Sequence, residues 1–170
     1  MDLLDGLKKR RSIRLYTEQK VDKDTIIKII EYGTWAPSAG NNQPWEFVVI
    51  TEEEGIQKVR AISPGIIGKP SVIIVACINL QKVKGFTSDQ NIALYDISMA
   101  CQNIMLASFA LGLGSCVIKS FNAVALARLL DLPDTLRPEL LVTIGYPANI
   151  PSPPPRIPVS ELIHWEGYRR

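Results

Sequence analysis

At 170 residues, the chain is long enough to form one domain with its own hydrophobic core. Its hydrophobic content of 46% and charged content of 21% are ordinary for a globular protein. The formal net charge of +2 is too small to imply a nucleic-acid partner or a charged membrane surface.

The N-terminal quarter of the chain predicts two helices. Residues 2–10 favour a short helix capped by Asp2. Its apolar side chains are expected to face inward: Leu3, Leu4 and Leu7. Asp22 would cap a second helix that runs until Gly33. That helix carries isoleucines at helical spacing: Ile26, Ile29 and Ile30.

The next segments alternate between strand and helix. Residues 45–51 favour a strand by their aromatic and β-branched content, and Trp45 is expected in the core rather than stacked on a ligand. Residues 52–61 favour a helix. Residues 71–78 form a continuous apolar run, which is typical of a strand buried on both faces.

Residues 90–111 predict the longest helix, which would extend roughly 33 Å. Apolar side chains leave it little polar face, so the helix is expected to be buried in a core or against another subunit. In a chain of 170 residues, a subunit interface is the better interpretation.

The C-terminal third predicts two strands, one helix and an extended arm. Residues 115–118 and 139–144 favour strands, and residues 123–130 favour a helix. The prolines from Pro147 onward favour an extended segment. Its apolar anchors are expected to wrap a partner subunit: Ile157, Val159, Leu162, Ile163 and Trp165. We predict a single domain over residues 1–170, with the arm over 147–170, in the α+β or α/β class.

The cysteines and the single histidine argue against a metal site. Cys77, Cys101 and Cys116 are widely spaced, and His164 is the only histidine. Free thiols suit a reducing cytosol, and residues 1–5 lack the basic start of a secretory signal. No apolar run reaches the roughly 18 residues of a membrane span. These features predict a cytoplasmic protein with neither a metal nor a membrane partner.

The first chemical motif is Arg10-Arg11-Ser12-Ile13-Arg14. Guanidinium and hydroxyl groups at this density can hold a phosphate beside a second anionic centre. Arg10, Ser12 and the later Arg156 are candidates for the phosphate. The alternative is that Arg10 and Ser12 form only a helix end and a turn.

The second motif is the loop Pro37-Ser38-Ala39-Gly40-Asn41-Asn42-Gln43-Pro44-Trp45. Its small residues let a backbone approach a flat heteroaromatic ring, and its carboxamides can hydrogen-bond the ring edge. The alternative for Asn41-Asn42 is a simple turn. Together the two motifs predict a site for flavin mononucleotide (FMN).

Two arginines have separate expected roles in that site. A fixed cation near the N1/C2-carbonyl edge of a flavin stabilises its reduced form and raises its potential, and Arg14 fits this position. Arg11 would point the other way along an extended segment. Its side chain is expected to be structural, although its main chain could still contact the flavin.

These motifs carry a family resemblance. R-R-S-I-R followed by W-A-P-S-A-G-N-N-Q-P-W-E-F-V-V resembles the nitroreductase family of FMN-dependent oxidoreductases. The resemblance continues through residues 93–119, Ile144-Gly145-Tyr146-Pro147 and Arg156, and so covers nearly the whole chain.

The resemblance implies a three-layer α/β/α fold of the α+β class, with a mixed, mainly antiparallel sheet and a long buried central helix. It implies a homodimer with FMN at the subunit interface. A hydride would pass from NADH or NADPH via the flavin to a nitroaromatic, quinone or similar acceptor by a ping-pong mechanism. Because the flavin does this chemistry, no catalytic side chain is required.

The resemblance also implies cofactor contacts from two further segments. The loop would reach the flavin from the second subunit, through Pro37, Ser38, Ala39 and Asn41, with Gln43 nearby. A later stretch would lie beside flavin N5 and support it with a backbone N–H. Its residues are Gly114, Ser115, Ile118, Lys119 and Ser120.

The chain departs from the family pattern in two places. Many members have an acid or a glycine where Lys119 and Ser120 stand, which leaves substrate preference open; Lys119 could equally be a solvated side chain. Longer members insert a helical lid where only residues 79–88 stand here, so a more open flavin face is expected and substrate contacts are not carried over.

Two other functions remain open at this point. One is a specialised flavin-fragmenting or dehalogenating enzyme on the same fold, although such enzymes need lids. The other is a non-catalytic flavin-binding or sensing protein. The short connection in place of the lid makes this alternative less remote than usual.

Overall fold

The computed structural model describes residues 2–83 and 92–168. The α-helices are α1 (Leu3–Lys9), α2 (Lys23–Thr34), α3 (Glu53–Ala61), α4 (Ile92–Ala110) and α5 (Ala123–Leu129). The strands are β1 (Trp45–Ile50), β2 (Val72–Asn79), β3 (Gly114–Ile118) and β4 (Leu136–Gly145). The predicted helix start at residues 90–91, and residues 84–88 of the short connection in place of a lid, lie outside the described residues.

The four strands form one sheet in the order β1-β2-β4-β3. All three pairings are antiparallel. A parallel component is limited to an isolated bridge between Ser12 and Ser115. Helices combined with this sheet confirm the α+β class.

Strand β2 shows how the sheet separates two cores. Ile74 and Ala76 pack in a cluster with residues of α2 and α4. Ile73 and Val75 pack in a second cluster with residues of α3 and α5. Because successive side chains of a strand point to opposite faces, the continuous apolar run serves both cores. The predicted burial on both faces and the three-layer arrangement are confirmed.

Helix α4 packs between α2 and the sheet. Ile97 and Ile104 are fully buried, whereas Tyr95 is 68% exposed. By length and composition alone α4 could cross a membrane, and 44% of its most apolar stretch is buried inside the fold. Trp45 is buried in the same core, as predicted.

The expected inward face of α1 is wrong for a single chain. Leu3, Leu4 and Leu7 are 67%, 65% and 52% exposed. The buried residue of α1 is Gly6, because the helix meets α4 through that small residue. Asp2 makes no side-chain cap, in contrast to Asp22, which accepts from the Thr25 N–H at 2.8 Å as predicted.

The C-terminal arm leaves the domain after a bridge between Tyr16 and Pro147. Residues 148–168 are exposed throughout. Apart from a short 3-10 turn at Val159–Glu161, the arm contains neither helix nor strand. Its predicted apolar anchors are exposed in the single chain: Ile157, Val159, Leu162, Ile163 and Trp165.

Candidate functional site

The segment after α1 is fixed against β3. The Ile13 N–H donates to the Ser115 carbonyl at 3.0 Å, and the Ile13 side chain is buried. Farther along, the Tyr16 hydroxyl donates to the Ile13 carbonyl at 2.6 Å and lies 2.8 Å from Thr143 Oγ1. Burial raises the pKa of the Tyr16 phenol, so this hydroxyl remains a proton donor at neutral pH. These bonds hold residues 10–16 in an extended conformation.

Arg11 closes the end of α1. Its Nη1 donates to the Lys8 carbonyl at 2.7 Å and to the Arg10 carbonyl at 2.8 Å. Carbonyls at a helix C-terminus have no partners within the helix, so a cation there stabilises the end. The guanidinium of Arg11 therefore has a structural role in this conformation, as the sequence suggested.

A cavity of about 130 Å³ lies between the end of α1 and the turn that leads from α4 into β3. Lys9, Arg10 and Arg11 line it, and none of the described lining residues is acidic. About 10–15 Å³ of such space is enough to hold one water. The cavity can therefore admit a larger group, such as a phosphate.

Two buried polar atoms belong to residues that line this cavity. Arg10 Nη1 and Ser115 Oγ find no hydrogen-bond partner among the described residues. Leaving a buried polar group unsatisfied costs about 1–3 kcal/mol, and more for a charged group. An anion that accepted from both atoms would remove this penalty, so the donor set fits a phosphate.

The Cys116 thiol reports how closely the N-terminal motif approaches β3. Burial raises the pKa of Cys116. The positive charge of Arg14 offsets part of this rise in pKa, and so do a hydrogen bond with the Ser12 side chain and the charge of Arg10. The structure thus brings Arg10, Ser12 and Arg14 together beside β3. Arg14 itself is exposed, with only a long contact of 3.5 Å from Nη1 to the Ser12 carbonyl.

Lys119 follows the far end of β3, and its side chain is 66% exposed but paired. Its Nζ donates to the Glu139 carboxylate at 2.8 Å and to the Glu139 carbonyl at 3.0 Å. The same ammonium lies 5.7 Å from the centre of the Phe121 ring. The pairing turns Lys119 toward β4, while Ile118 before it is buried and Ser120 after it is exposed.

A β-bulge explains why Glu139 is available to Lys119. Ala76 pairs with Leu140 and Cys77 with Pro138, so Glu139 is the extra residue on β4. Pro138 has no N–H for the ladder, which makes it compatible with a bulge. Sequence reasoning missed Glu139, whose only signal was a carboxylate beside a proline at the start of the apolar part of the strand.

The loop of residues 37–43 is held at the opposite end of α4. The Ala39 N–H donates to Asp96 Oδ1 at 3.1 Å, and Asp96 is buried. Within the loop, the Gln43 N–H donates to Ser38 Oγ at 3.0 Å, and Gln43 Nε2 donates to Asn41 Oδ1 at 3.2 Å. Asp96 was also missed, although it is the only charged residue in α4.

Backbone geometry supports a special role for this loop. Gly40, Asn41 and Gln43 all have positive φ, at 59°, 52° and 46°. For asparagine and glutamine this left-handed conformation is uncommon and carries strain that the surrounding structure must hold. Asparagine adopts this conformation more readily than most residues and does so in turns, so a simple turn at Asn41-Asn42 remains the alternative.

The two parts of the predicted site are far apart in one chain. The loop is anchored at Asp96, whereas Phe109 and Gly112 line the cationic cavity. The 13 residues from Asp96 to Phe109 correspond to roughly 20 Å of helix. One copy thus does not bring Pro37, Ser38, Ala39, Asn41 and Gln43 to the cavity beside Arg10.

Arg156 stays apart from the cavity as well. It lies in the exposed arm, and no hydrogen bond or ion pair joins it to another described residue. The arm begins at the cavity, because Pro147 and Ile150 line it. Across residues 2–83 and 92–168, no three His, Cys, Asp or Glu side chains come together as metal ligands would.

Comparison with known proteins gives one consistent family. The sequence model of the Nitroreductase family matches residues 7–66 and 57–146. A protein of Methanothermobacter thermautotrophicus, provisionally named NADH dehydrogenase/NAD(P)H nitroreductase, is 35% identical over 159 residues, which cover 89% of this chain and 80% of that protein.

Solved structures share the fold. A nitroreductase family protein from Clostridium difficile 630 is 31% identical, with a TM-score of 0.88 over 99% of this chain and 100% of that chain. A protein from Exiguobacterium sibiricum, provisionally described as a nitroreductase and solved in complex with FMN, has a TM-score of 0.89 over 98% of each chain. At 22% identity, the second comparison shows likeness of fold alone.

Proposed function

Because this chain belongs to the nitroreductase family, we propose that it is an FMN-dependent oxidoreductase. It would take electrons from NADH or NADPH and pass them to a nitroaromatic, a quinone or a similar acceptor. The observation that carries the proposal is the cation-lined cavity with the unsatisfied atoms of Arg10 and Ser115. The name of the M. thermautotrophicus relative supports it.

The phosphate end of FMN would occupy this cavity. Arg10 would donate through Nη1, and Ser12 and Ser115 would donate through their hydroxyls. Charge-assisted hydrogen bonds of this kind are roughly twice as strong as neutral ones. We propose that Arg156 completes the phosphate contacts, since the arm starts at the cavity and its guanidinium has no other described partner.

The flavin ring would lie against β3, next to the segment that contains Arg14. When bound, FMN supplies the redox chemistry by accepting a hydride from the nicotinamide and passing the electrons onward. Arg14 would present its charge to the pyrimidine edge of the ring. Backbone groups of Gly114, Lys119 and Ser120, with Ile118 beside them, would orient the ring against β3.

We propose that two copies assemble each site. The loop with Pro37, Ser38, Ala39, Asn41 and Gln43 lies roughly 20 Å along α4 from the cavity. A second copy could bring its own loop to the flavin that the first copy holds by its phosphate. The strained backbone at Asn41 and Gln43 then has a purpose, since it would preset the loop for close contact.

Exposed apolar surface supports this homodimer. Trp35 is 78% exposed and Trp165 is 80% exposed in the single chain. An apolar groove of about 460 Å³ runs between α1, α2 and α4, lined by Leu3, Tyr32 and Trp35. Large exposed apolar patches mark interaction sites. We propose that the arm of the second copy covers this groove.

The remaining elements of the proposal concern organisation and kinetics. We propose one domain over residues 1–170 with the arm at 147–170, working in the cytoplasm, where its three free cysteines would stay reduced.

One open flavin face would serve donor and acceptor in turn, which gives ping-pong kinetics. Chain residues bind and orient, and none is required as an acid or nucleophile.

The absorbance spectrum of the purified protein tests the cofactor. Protein reconstituted with FMN and then desalted should retain a flavin band at one FMN per chain. FAD and riboflavin serve as comparison ligands. Riboflavin is the matched control, because it lacks the phosphate that the Arg10 cavity would bind. Retention of riboflavin as strong as that of FMN would contradict the phosphate site.

A further inference from the structure

The segment of residues 63–68, between α3 and β2, contacts two parts of the candidate site. It is fixed in place by its own bonds, because the Ile66 N–H donates to the Ser63 carbonyl at 3.0 Å. Ile66 is buried in the core formed with α3 and α5. The preceding Ile62 carbonyl accepts from the Asn122 N–H at 3.0 Å. We call this segment the 63–68 loop.

Gly68 lies directly against the main chain of Arg14. A β-carbon at position 68 would overlap the Arg14 carbonyl oxygen, and it would lie 3.2 Å from the Arg14 carbonyl carbon and 3.4 Å from Leu15 Cα. Backbone atoms cannot rotate aside, so any side chain here must displace one segment from the other.

Gly65 makes a similar contact at the far end of β3, but with side chains. A β-carbon there would overlap Ser120 Oγ and would lie 2.7 Å from Ile118 Cγ2. The Ser120 hydroxyl can turn away by changing rotamer. Neither Gly65 nor Gly68 has positive φ, so alanine is allowed by the local backbone at both positions. The two substitutions differ in what the added carbon meets.

The 63–68 loop thus joins Arg14 to Ser120. The Arg14 side chain has no firm partner, since its one described hydrogen bond is 3.5 Å long. Because no protein partner fixes the guanidinium, the main chain sets only the point from which the Arg14 side chain reaches toward the flavin. That main chain is held on one side by β3, through Ile13, and on the other by Gly68.

We propose that Gly68 is a positioning residue that sets where Arg14 presents its charge to the flavin. The proposal rests on the proposed FMN site. Without a side chain at position 68, the loop can seat against the Arg14 carbonyl and keep the Arg14 main chain where its guanidinium can reach the ring edge. Displacing the Arg14 backbone would weaken the electrostatic stabilisation of the reduced cofactor.

The test is the midpoint potential of the bound flavin in a double-mutant cycle. The variants are Gly68→Ala, Arg14→Gln and their combination, with Gly65→Ala as the matched substitution in the same loop. Gly68→Ala is expected to lower the flavin potential, as Arg14→Gln does, and by no more than Arg14→Gln lowers it. Gly65→Ala would press on Ile118 and Ser120 instead of Arg14, so any shift that it causes should persist when Arg14 is Gln, whereas Gly68→Ala should add nothing there.

A potential unchanged by Gly68→Ala would overturn the inference, and so would an equal shift in both backgrounds. Thermal unfolding of the apoprotein separates loss of folding from loss of positioning. If Gly68→Ala does not fold, Ile67→Gly loosens the loop without adding an atom, since Ile67 is 65% exposed. It should lower the potential only when Arg14 is present, and an unchanged potential would overturn the inference.

Failure of the proposed function has a different signature. If the wild-type protein retained no FMN, the cofactor proposal would fail before any potential could be compared. If wild type bound FMN and Arg14→Gln shifted the potential while Gly68→Ala did not, only the role of Gly68 would fall.

Discussion

Ile13 donates its backbone N–H to the Ser115 carbonyl at 3.0 Å, and this bond joins the N-terminal segment to β3. Because of it, Arg10 and Ser115 line one cavity although they are far apart in the sequence. The buried atoms that both residues leave without a described partner carry the anion site that we propose, which neither segment would form alone.

Replacing Arg10 by Ala should weaken FMN binding by about 1.5–3 kcal/mol, the value of a hydrogen bond to a charged group. Fluorescence titration of apoprotein with FMN measures the change. Arg128→Ala is the control, because it removes the same charge from an exposed position on α5. Equal FMN affinity in wild type and Arg10→Ala would remove Arg10 from the phosphate site.

Truncation after Asn149 should disrupt both assembly and flavin binding. It removes the exposed apolar side chains of the arm together with Arg156. An obligate dimer of this kind is expected to bury more than about 2,000 Å². Light scattering should give a dimer for the full chain and for a truncation after Tyr168, but not for the chain ending at Asn149. A stable FMN-loaded monomer of 18.9 kDa would contradict the dimer.

The cysteines should be unreactive in the folded protein. Burial raises the pKa of Cys77 and of Cys101 to about 12, and it also raises that of Cys116. Only the thiolate is nucleophilic. Titration with a disulfide reagent at pH 8 should modify no buried thiol until denaturant is added, when all three react. Rapid modification of native protein would show that these thiols are accessible.

The same shifts fix the pH dependence of stability. The folded-state pKa values of Cys77 and Cys101 lie above the ordinary value of 9.0. The unfolded chain therefore loses these protons first as the pH rises. Their contribution to the free energy of unfolding is complete below about pH 9 and is lost progressively toward pH 12. Urea unfolding at pH 8 and pH 10 should show lower stability at the higher pH.

Steady-state kinetics should follow a ping-pong pattern. If donor and acceptor use one flavin face in turn, the oxidised nicotinamide must leave before the acceptor binds. Double-reciprocal plots at several acceptor concentrations should then be parallel. Intersecting lines would indicate a complex in which both substrates are bound, and would argue against a single shared face.

Local patterns in the sequence predicted much of the fold. Asp22 caps α2 because a short carboxylate before a helix can accept from an N–H of the first turn. The apolar run of β2 predicted a central strand because both faces of a three-layer fold are buried. The outward face of α1 was not predictable in this way, because Leu3 and Leu7 remain more than half exposed within their own chain.

The residue types of the candidate site could be predicted from the sequence, but the long-range contacts that hold those residues in place could not. Arg10, Ser12 and Arg14 stood out because their chemistry suits an anionic ligand. Asp96 and Glu139 did not, because each acts through a partner more than 15 positions away: Asp96 holds Ala39, and Glu139 holds Lys119. A single buried carboxylate in the sequence does not reveal which segment it will fix.

Anaerobic mixing of the FMN-loaded protein with NADH or NADPH tests the central claim most directly. An NAD(P)H-dependent oxidoreductase should lose its flavin absorbance rapidly with at least one of the two donors, and should recover it when a quinone or a nitroaromatic is added. Flavin absorbance that persists with both donors, in protein that holds one FMN per chain, would contradict an enzyme and indicate a flavin-binding protein instead.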